Sequence, residues 1–251
     1  MRVRYWGLAT IAGSVLLFSA LPAIAQQDVT VQFTGGYTGV FEDYGAGVYS
    51  GTINGQSSPG IICDDFNDEI TSGEQWNAAA YQASSLVSSG NLDSTLFGST
   101  IGVQGYAEVA TLVSALFSNA TTLGGVIGVT AGELSSAIWD ITTPGGISGL
   151  DGNAAALVKY VMGLYGGSGA TPSQITAATN YLSTLTNLWI LTPNPQGYAP
   201  AGEATEPQEM WTESLAIKAP EGGAALMYLL LAGATCFGAM FLSRREARQS
   251  L

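Results

Sequence analysis

The stretch from Ala224 to Leu242 carries no charged residue, and Ser243-Arg244-Arg245-Glu246-Ala247-Arg248 follows it directly. Such a run is poorly suited to the surface of a water-soluble domain. As a helix rising about 1.5 Å per residue it spans about 28 Å, close to the roughly 30 Å hydrocarbon core of a bilayer. Arginine resists translocation, so the arginine cluster is expected to stay cytoplasmic, with the rest of the chain outside. The other end points the same way. Arg2 and Arg4 form a positive start, Trp6 to Leu21 an apolar centre, and Ala23-Ile24-Ala25 a small-residue cleavage site. Residues 1–25 therefore read as a signal peptide for the Sec translocon and signal peptidase, with Ala23 and Ala25 setting the cut and Gln26 as the mature N-terminus.

Pro220-Glu221-Gly222-Gly223 stands just before the apolar run. A Pro-Glu motif, one membrane helix (224–242) and arginines such as Arg244 and Arg245, in that order, resemble the PEP-CTERM sorting signal of Gram-negative bacteria. Gly222-Gly223 replaces the commoner Pro-Glu-Pro continuation, so residues 220–251 look like a Pro-Glu-Gly-Gly variant. The resemblance implies an exosortase-type membrane protease as partner, a stay in the cytoplasmic membrane during sorting, and release to the cell surface or exopolysaccharide matrix. The alternative is an ordinary C-terminal anchor without processing.

Between the two ends the chain is almost purely acidic. The net charge is -12, and Lys159 and Lys218 are the only basic residues between leader and tail. Phosphate binding requires Lys or Arg, so nucleic acid is excluded as a partner. Charged residues make up 10% of the chain, against about a quarter in ordinary soluble domains. Histidine is absent, which removes Ser-His-Asp and Cys-His catalysis and His-ligated zinc. Of the two cysteines, Cys236 lies in the apolar run, leaving Cys63 as the one thiol of the body. No cofactor motif is present.

The body reads as an α+β ectodomain over 26–192, with strands at both ends and helices between. Terminal strands and a linker follow over 193–219. Val29–Phe33, Tyr37–Phe41, Gly47–Ile53 and Pro59–Phe66 carry strand signals, and Asn54-Gly55 suits a hairpin turn. Gly73 to Tyr81 reads as the opening of a helical stretch. Tyr106, Val109, Ala110, Val113, Leu116 and Phe117 recur at helical spacing. Thr130-x-x-Glu133 is a capping box, Asn153 to Tyr165 a further helix, and Thr171-Pro172 starts another that runs to about Asn187. Leu188 to Thr192 reads as a strand, and residues around Gln208–Trp211 and Ser214–Ile217 as one or two more.

The order Ile62-Cys63-Asp64-Asp65-Phe66, Gly73-x-x-Trp76, Ala137-Ile138-Trp139-Asp140-Ile141, Leu191-Thr192-Pro193 and Gln208-Glu209-Met210 looks like a domain common in PEP-CTERM proteins. It is also distantly similar to the thioester domains of bacterial surface adhesins, in which a cysteine condenses with a glutamine. Cys63 matches that cysteine. The matching glutamine position is Ser135, which has no carboxamide, so the resemblance implies an inactive site.

Asp64, Asp65, Asn67, Asp68 and Glu69 form the densest acidic cluster, read either as a calcium site or as a solvated strand end. The spacing is not that of an EF-hand, and no metal is assigned. Glu133 with Asp140, or Asp65 with Glu74, are the carboxylate pairs available to a polysaccharide hydrolase. Trp76, Trp139 and Trp189 sit in apolar patterns that suit a core, whereas Trp211 in its polar stretch is the candidate exposed aromatic. The expectation is a non-enzymatic structural or interaction protein of the cell surface or matrix. An adhesin-like binding module is the first alternative and a hydrolase the second.

Overall fold

The structure is a computed structural model, and it describes residues 26–67, 70–144, 147, 150, 152–194 and 207–215. The signal peptide, the sorting signal with its helix, Lys218, Asp68 and Glu69 lie outside these.

The strands are β1 (Gln27–Phe41), β2 (Tyr44–Ile53), β3 (Gln56–Ser57), β4 (Ile62–Cys63), β5 (Gln75–Gln82), the small pair β6 (Thr122–Leu123) and β7 (Val126–Ile127), then β8 (Trp189–Pro193) and β9 (Met210–Thr212). The helices are α1 (Leu86–Ser89), α2 (Gly98–Phe117), α3 (Ala131–Thr142), α4 (Gly152–Tyr165) and α5 (Pro172–Thr184). The main sheet runs β3-β2-β1-β5-β8-β9-β4, and its pairings are antiparallel.

The sheet returns on itself, with the approach to β4 at one end meeting β2 near the other. Tyr49 of β2 exchanges both main-chain hydrogen bonds with Ile61, the residue before β4 (2.7 and 3.1 Å). The sheet thereby closes into a small barrel, which leaves few free edges. Strand alternation then sorts the side chains. Val29, Val31, Phe33, Tyr49, Ile53, Ile61, Cys63, Trp76, Ala78, Ala80, Trp189, Leu191 and Met210 form the inner cluster. Ala46, Ile62, Ala79, Tyr81, Ile190 and Trp211 face the other way and join the helices in a second, larger core. Small Ala78 and Ala80 pack beside bulky Trp76 and Trp189, which suits a narrow interior.

Gly73–Tyr81 departs from the helical reading. Gln75–Gln82 is the central strand β5, hydrogen-bonded to β1 on one side and β8 on the other. Ala78-Ala79-Ala80 favours a helix locally, but two complete ladders of pairing override a preference of a few tenths of a kcal/mol per residue. Trp211 is fully buried between sheet and helices, not exposed. Asp64 and Asp65 are also buried, so they are not a solvated strand end.

α2 is apolar and central, packed on α3, α4 and α5, with a bend where Gly102 takes φ 65°. The capping box expected at the start of α3, Thr130 with Glu133, is in place, and Thr171 caps α5 through a second reciprocal pair with Gln174. α5 ends at Thr184, short of Asn187, where Leu185 leaves helical geometry.

A candidate ligand cleft at the barrel mouth

Beyond Phe33 the β1–β2 hairpin leaves the barrel and bends over one end of it. Register shifts at Phe33/Gly35, Gly35/Tyr37 and Tyr37/Gly39 make the bend. Gly35 and Gly36 carry it with φ of 95° and 80°, a region that side chains disfavour. The hairpin then lies on the start of α3. Gly47 N–H donates to Ser135 Oγ at 2.8 Å, and Gly132 sits against the Val40 carbonyl with no room for a Cβ.

The bend leaves an open cleft of about 360 Å³ at the barrel mouth. Cys63, Asp65 and Gln208 line its floor; Phe33 and Tyr49 come from the barrel interior, Tyr37, Asp43 and Tyr44 from the hairpin, and Phe66 and Trp139 from the far side. The rings pack in two groups. Tyr44 meets Phe66 edge-on at 5.3 Å, Phe66 lies 5.4 Å from Trp139, and Phe33 meets Tyr49 at 5.7 Å. Tyr37 and Tyr44 are 54% and 43% exposed at the rim, which leaves ring surface free for a ligand. A Cβ at Gly45 would stand 2.6 Å from the Tyr37 ring, so this glycine lets the ring lie across the backbone.

The floor is closely bonded. Cys63 Sγ lies 2.9 Å from both Gln208 Oε1 and the main-chain oxygen of Asp65. Asp65 N–H points at the sulfur at 3.3 Å, and Gln208 Nε2 donates to Asp65 O at 3.2 Å. Trp139 Nε1 donates to the Cys63 carbonyl at 3.1 Å, tying α3 to β4. Burial, and then the neighbouring Asp64, push the Cys63 thiol well above its ordinary range. The thiol is therefore neutral and a poor nucleophile at neutral pH.

Ser135 does not reach for this group; its hydroxyl is spent on Gly47, and the carboxamide beside Cys63 is that of Gln208. Sequence reasoning placed Gln208 in a terminal strand and in a similarity of order, without pairing it with Cys63. Its proximity to Cys63 depends on β9 pairing with β4, with Cys63 opposite Met210.

Asp64 and Asp65 point to different sides of the chain. Asp65 lines the cleft, and its Oδ1 accepts the Asn67 N–H at 3.0 Å. Asp64 turns inward to Trp211. Glu133 is held by its cap: Oε2 accepts Thr130 N–H and Oε1 accepts Asn153 Nδ2 at 2.8 Å. Glu74 Oε2 accepts Thr71 N–H. Asp140 lies with Glu108 beside a separate cavity of about 190 Å³, not with Glu133. Trp76 and Trp189 are interior packing of the barrel. Among the described residues no group of three or more acidic or cysteine side chains is placed to hold a metal ion.

No family model matches the chain, and neither the curated proteins nor the solved structures contain a match to it.

Proposed function

We propose that this chain is an exported protein of the cell surface or exopolysaccharide matrix that binds a ligand in the cleft at its barrel mouth and performs no chemistry on it. The cleft carries the reading. Its exposed tyrosines and bonded floor suit recognition, while the neutral thiol and the absence of histidine offer no activated nucleophile. Delivery is argued from sequence alone. The signal peptide exports the chain, and Pro220, Glu221 and the arginine-flanked helix present it to an exosortase-type protease. Retention of the purified full chain on matrix polysaccharide, lost in a Tyr37→Ala/Tyr44→Ala double variant that keeps its melting temperature, tests the binding role. Equal retention of the double variant would remove the cleft from it.

A second reading rests on the Cys63–Gln208 contact. An internal thioester would form if Sγ attacked Gln208 Cδ, the S–H proton passed to Nε2, and ammonia left. The product would weigh about 17 Da less and would transfer the Gln208 acyl group to a nucleophile on a target surface, making the protein an adhesin. The raised thiol pKa opposes the attack. Intact mass, with and without methylamine, separates the two readings.

A further inference from the structure

Resting on the reading of the cleft as a ligand site, we infer that its ligand is a glycan carrying free, protonated amines, of the glucosamine type. Three observations lead to this class. The lining includes two acidic residues, the exposed Asp43 and the buried Asp65, and no cationic residue. Among the described residues the one cationic side chain is Lys159, which lines a different cavity on α4. An anionic polysaccharide would therefore meet uncompensated repulsion, and a cationic one attraction.

The rings supply the second part. Tyr37 and Tyr44 at the rim and Phe66 behind them present aromatic faces and edges along the opening. A ring face attracts an ammonium through its quadrupole and also packs against the flat apolar side of a pyranose. A ligand combining both features uses the whole lining, whereas a bare ammonium uses one ring and one carboxylate. The third part is shape. The cleft is open rather than enclosed, and its aromatic lining continues onto the exposed rim of the hairpin, which suits successive units of a chain entering from solvent. These features favour an amino-sugar polymer over a lysine-bearing peptide, whose long side chains would need an enclosed cage to contact several rings.

Binding of the full chain in detergent to fluorescent glucosamine oligomers, N-acetylglucosamine oligomers, a neutral glucose oligomer and tri-lysine tests this. The glucosamine oligomer is expected to bind most tightly and to weaken as salt rises from 50 mM toward 500 mM. Asp43→Asn and Tyr44→Ala, both at exposed positions, are each expected to weaken it about threefold. Asp93→Asn, an exposed charge change away from the cleft, is expected to leave it unaltered. Equal or tighter binding of the acetylated or glucose oligomer overturns the amine requirement but leaves the glycan site standing. Equal binding of tri-lysine overturns the sugar requirement. Binding of none of the four, by a chain with an unchanged melting curve, overturns both this inference and the ligand-site reading.

Discussion

The indole N–H of Trp211 donates to Asp64 Oδ2 at 2.6 Å, deep between the barrel and the helices. Glu209, fully buried next in sequence to Gln208, completes the arrangement. Its Oε1 accepts the Tyr106 hydroxyl, and its Oε2 accepts the Thr192 hydroxyl and the Leu96 N–H. Burial raises both carboxyls above their ordinary range; for Asp64 the proximity of Glu209 and then of Asp65 adds to the rise, whereas the bonds that Glu209 receives oppose it. Asp64 Oδ2 takes the Trp211 indole N–H while Oδ1 is buried without a hydrogen-bond partner, an arrangement that penalises the charged carboxylate.

This pair makes the fold acid-favouring. Carboxyls held above their ordinary range bind protons more tightly in the folded chain than in the unfolded one. The stabilisation is complete below the ordinary carboxylate range and is lost as pH rises through the raised values. Glu108 and Asp140, also raised by burial, act in the same direction. The melting temperature is expected to climb between pH 8 and pH 5. Asp64→Asn, which removes the buried titrating group and keeps an oxygen for the Trp211 N–H, is expected to raise stability at pH 8 and to flatten the pH dependence. Thermal melts of both forms across that range check it, and parallel curves would contradict it.

The hairpin that walls the cleft depends on close approach to α3. Gly132→Ala is expected to push the hairpin off the Val40 carbonyl and destabilise the fold by about 2 kcal/mol. Thr130→Ala, one turn away, removes the cap alone and is expected to cost about 1 kcal/mol. Urea unfolding gives both values. Ligand binding should fall in the first variant at urea-free conditions and stay near normal in the second, since only the first reshapes the cleft.

Cys63 is expected to be a free, slow thiol. Peptide mapping after alkylation at pH 7.5 should show Cys63 modified at least about tenfold more slowly in the native chain than after unfolding. The mature body should also carry its full sequence mass. A mass about 17 Da lower, with uptake of methylamine at Gln208, would replace the first functional reading by the thioester one.

Sorting is expected to depend on Pro220-Glu221. Wild-type cells should release a chain lacking residues beyond the motif, and Pro220→Ala/Glu221→Ala cells should hold the full length in the membrane. Mass mapping of the C-terminal peptide in each fraction distinguishes them; full-length chains alone in both strains would argue for a plain anchor.

Features governed by neighbours in the chain were legible without coordinates. Thr130 with Glu133 and Thr171 with Gln174 are three residues apart, and their reciprocal bonds need only one turn of helix. The apolar spacing from Tyr106 to Phe117 and the alternation of Val29, Val31 and Phe33 likewise follow from local geometry. Tertiary pairing decided the rest. Ala78-Ala79-Ala80 became strand because β1 and β8 supply partners on both sides. Trp211 and Asp64, which looked solvated among polar neighbours, are buried together, the indole N–H meeting Asp64 Oδ2 across 147 positions. Gln208 meets Cys63 across 145 positions, and only the antiparallel match of β9 to β4 brings them together. Residue type and short spacing set the local hydrogen bonds of this chain, whereas burial, the cleft and the raised carboxyls of Asp64 and Glu209 arise from contacts that no local pattern encodes.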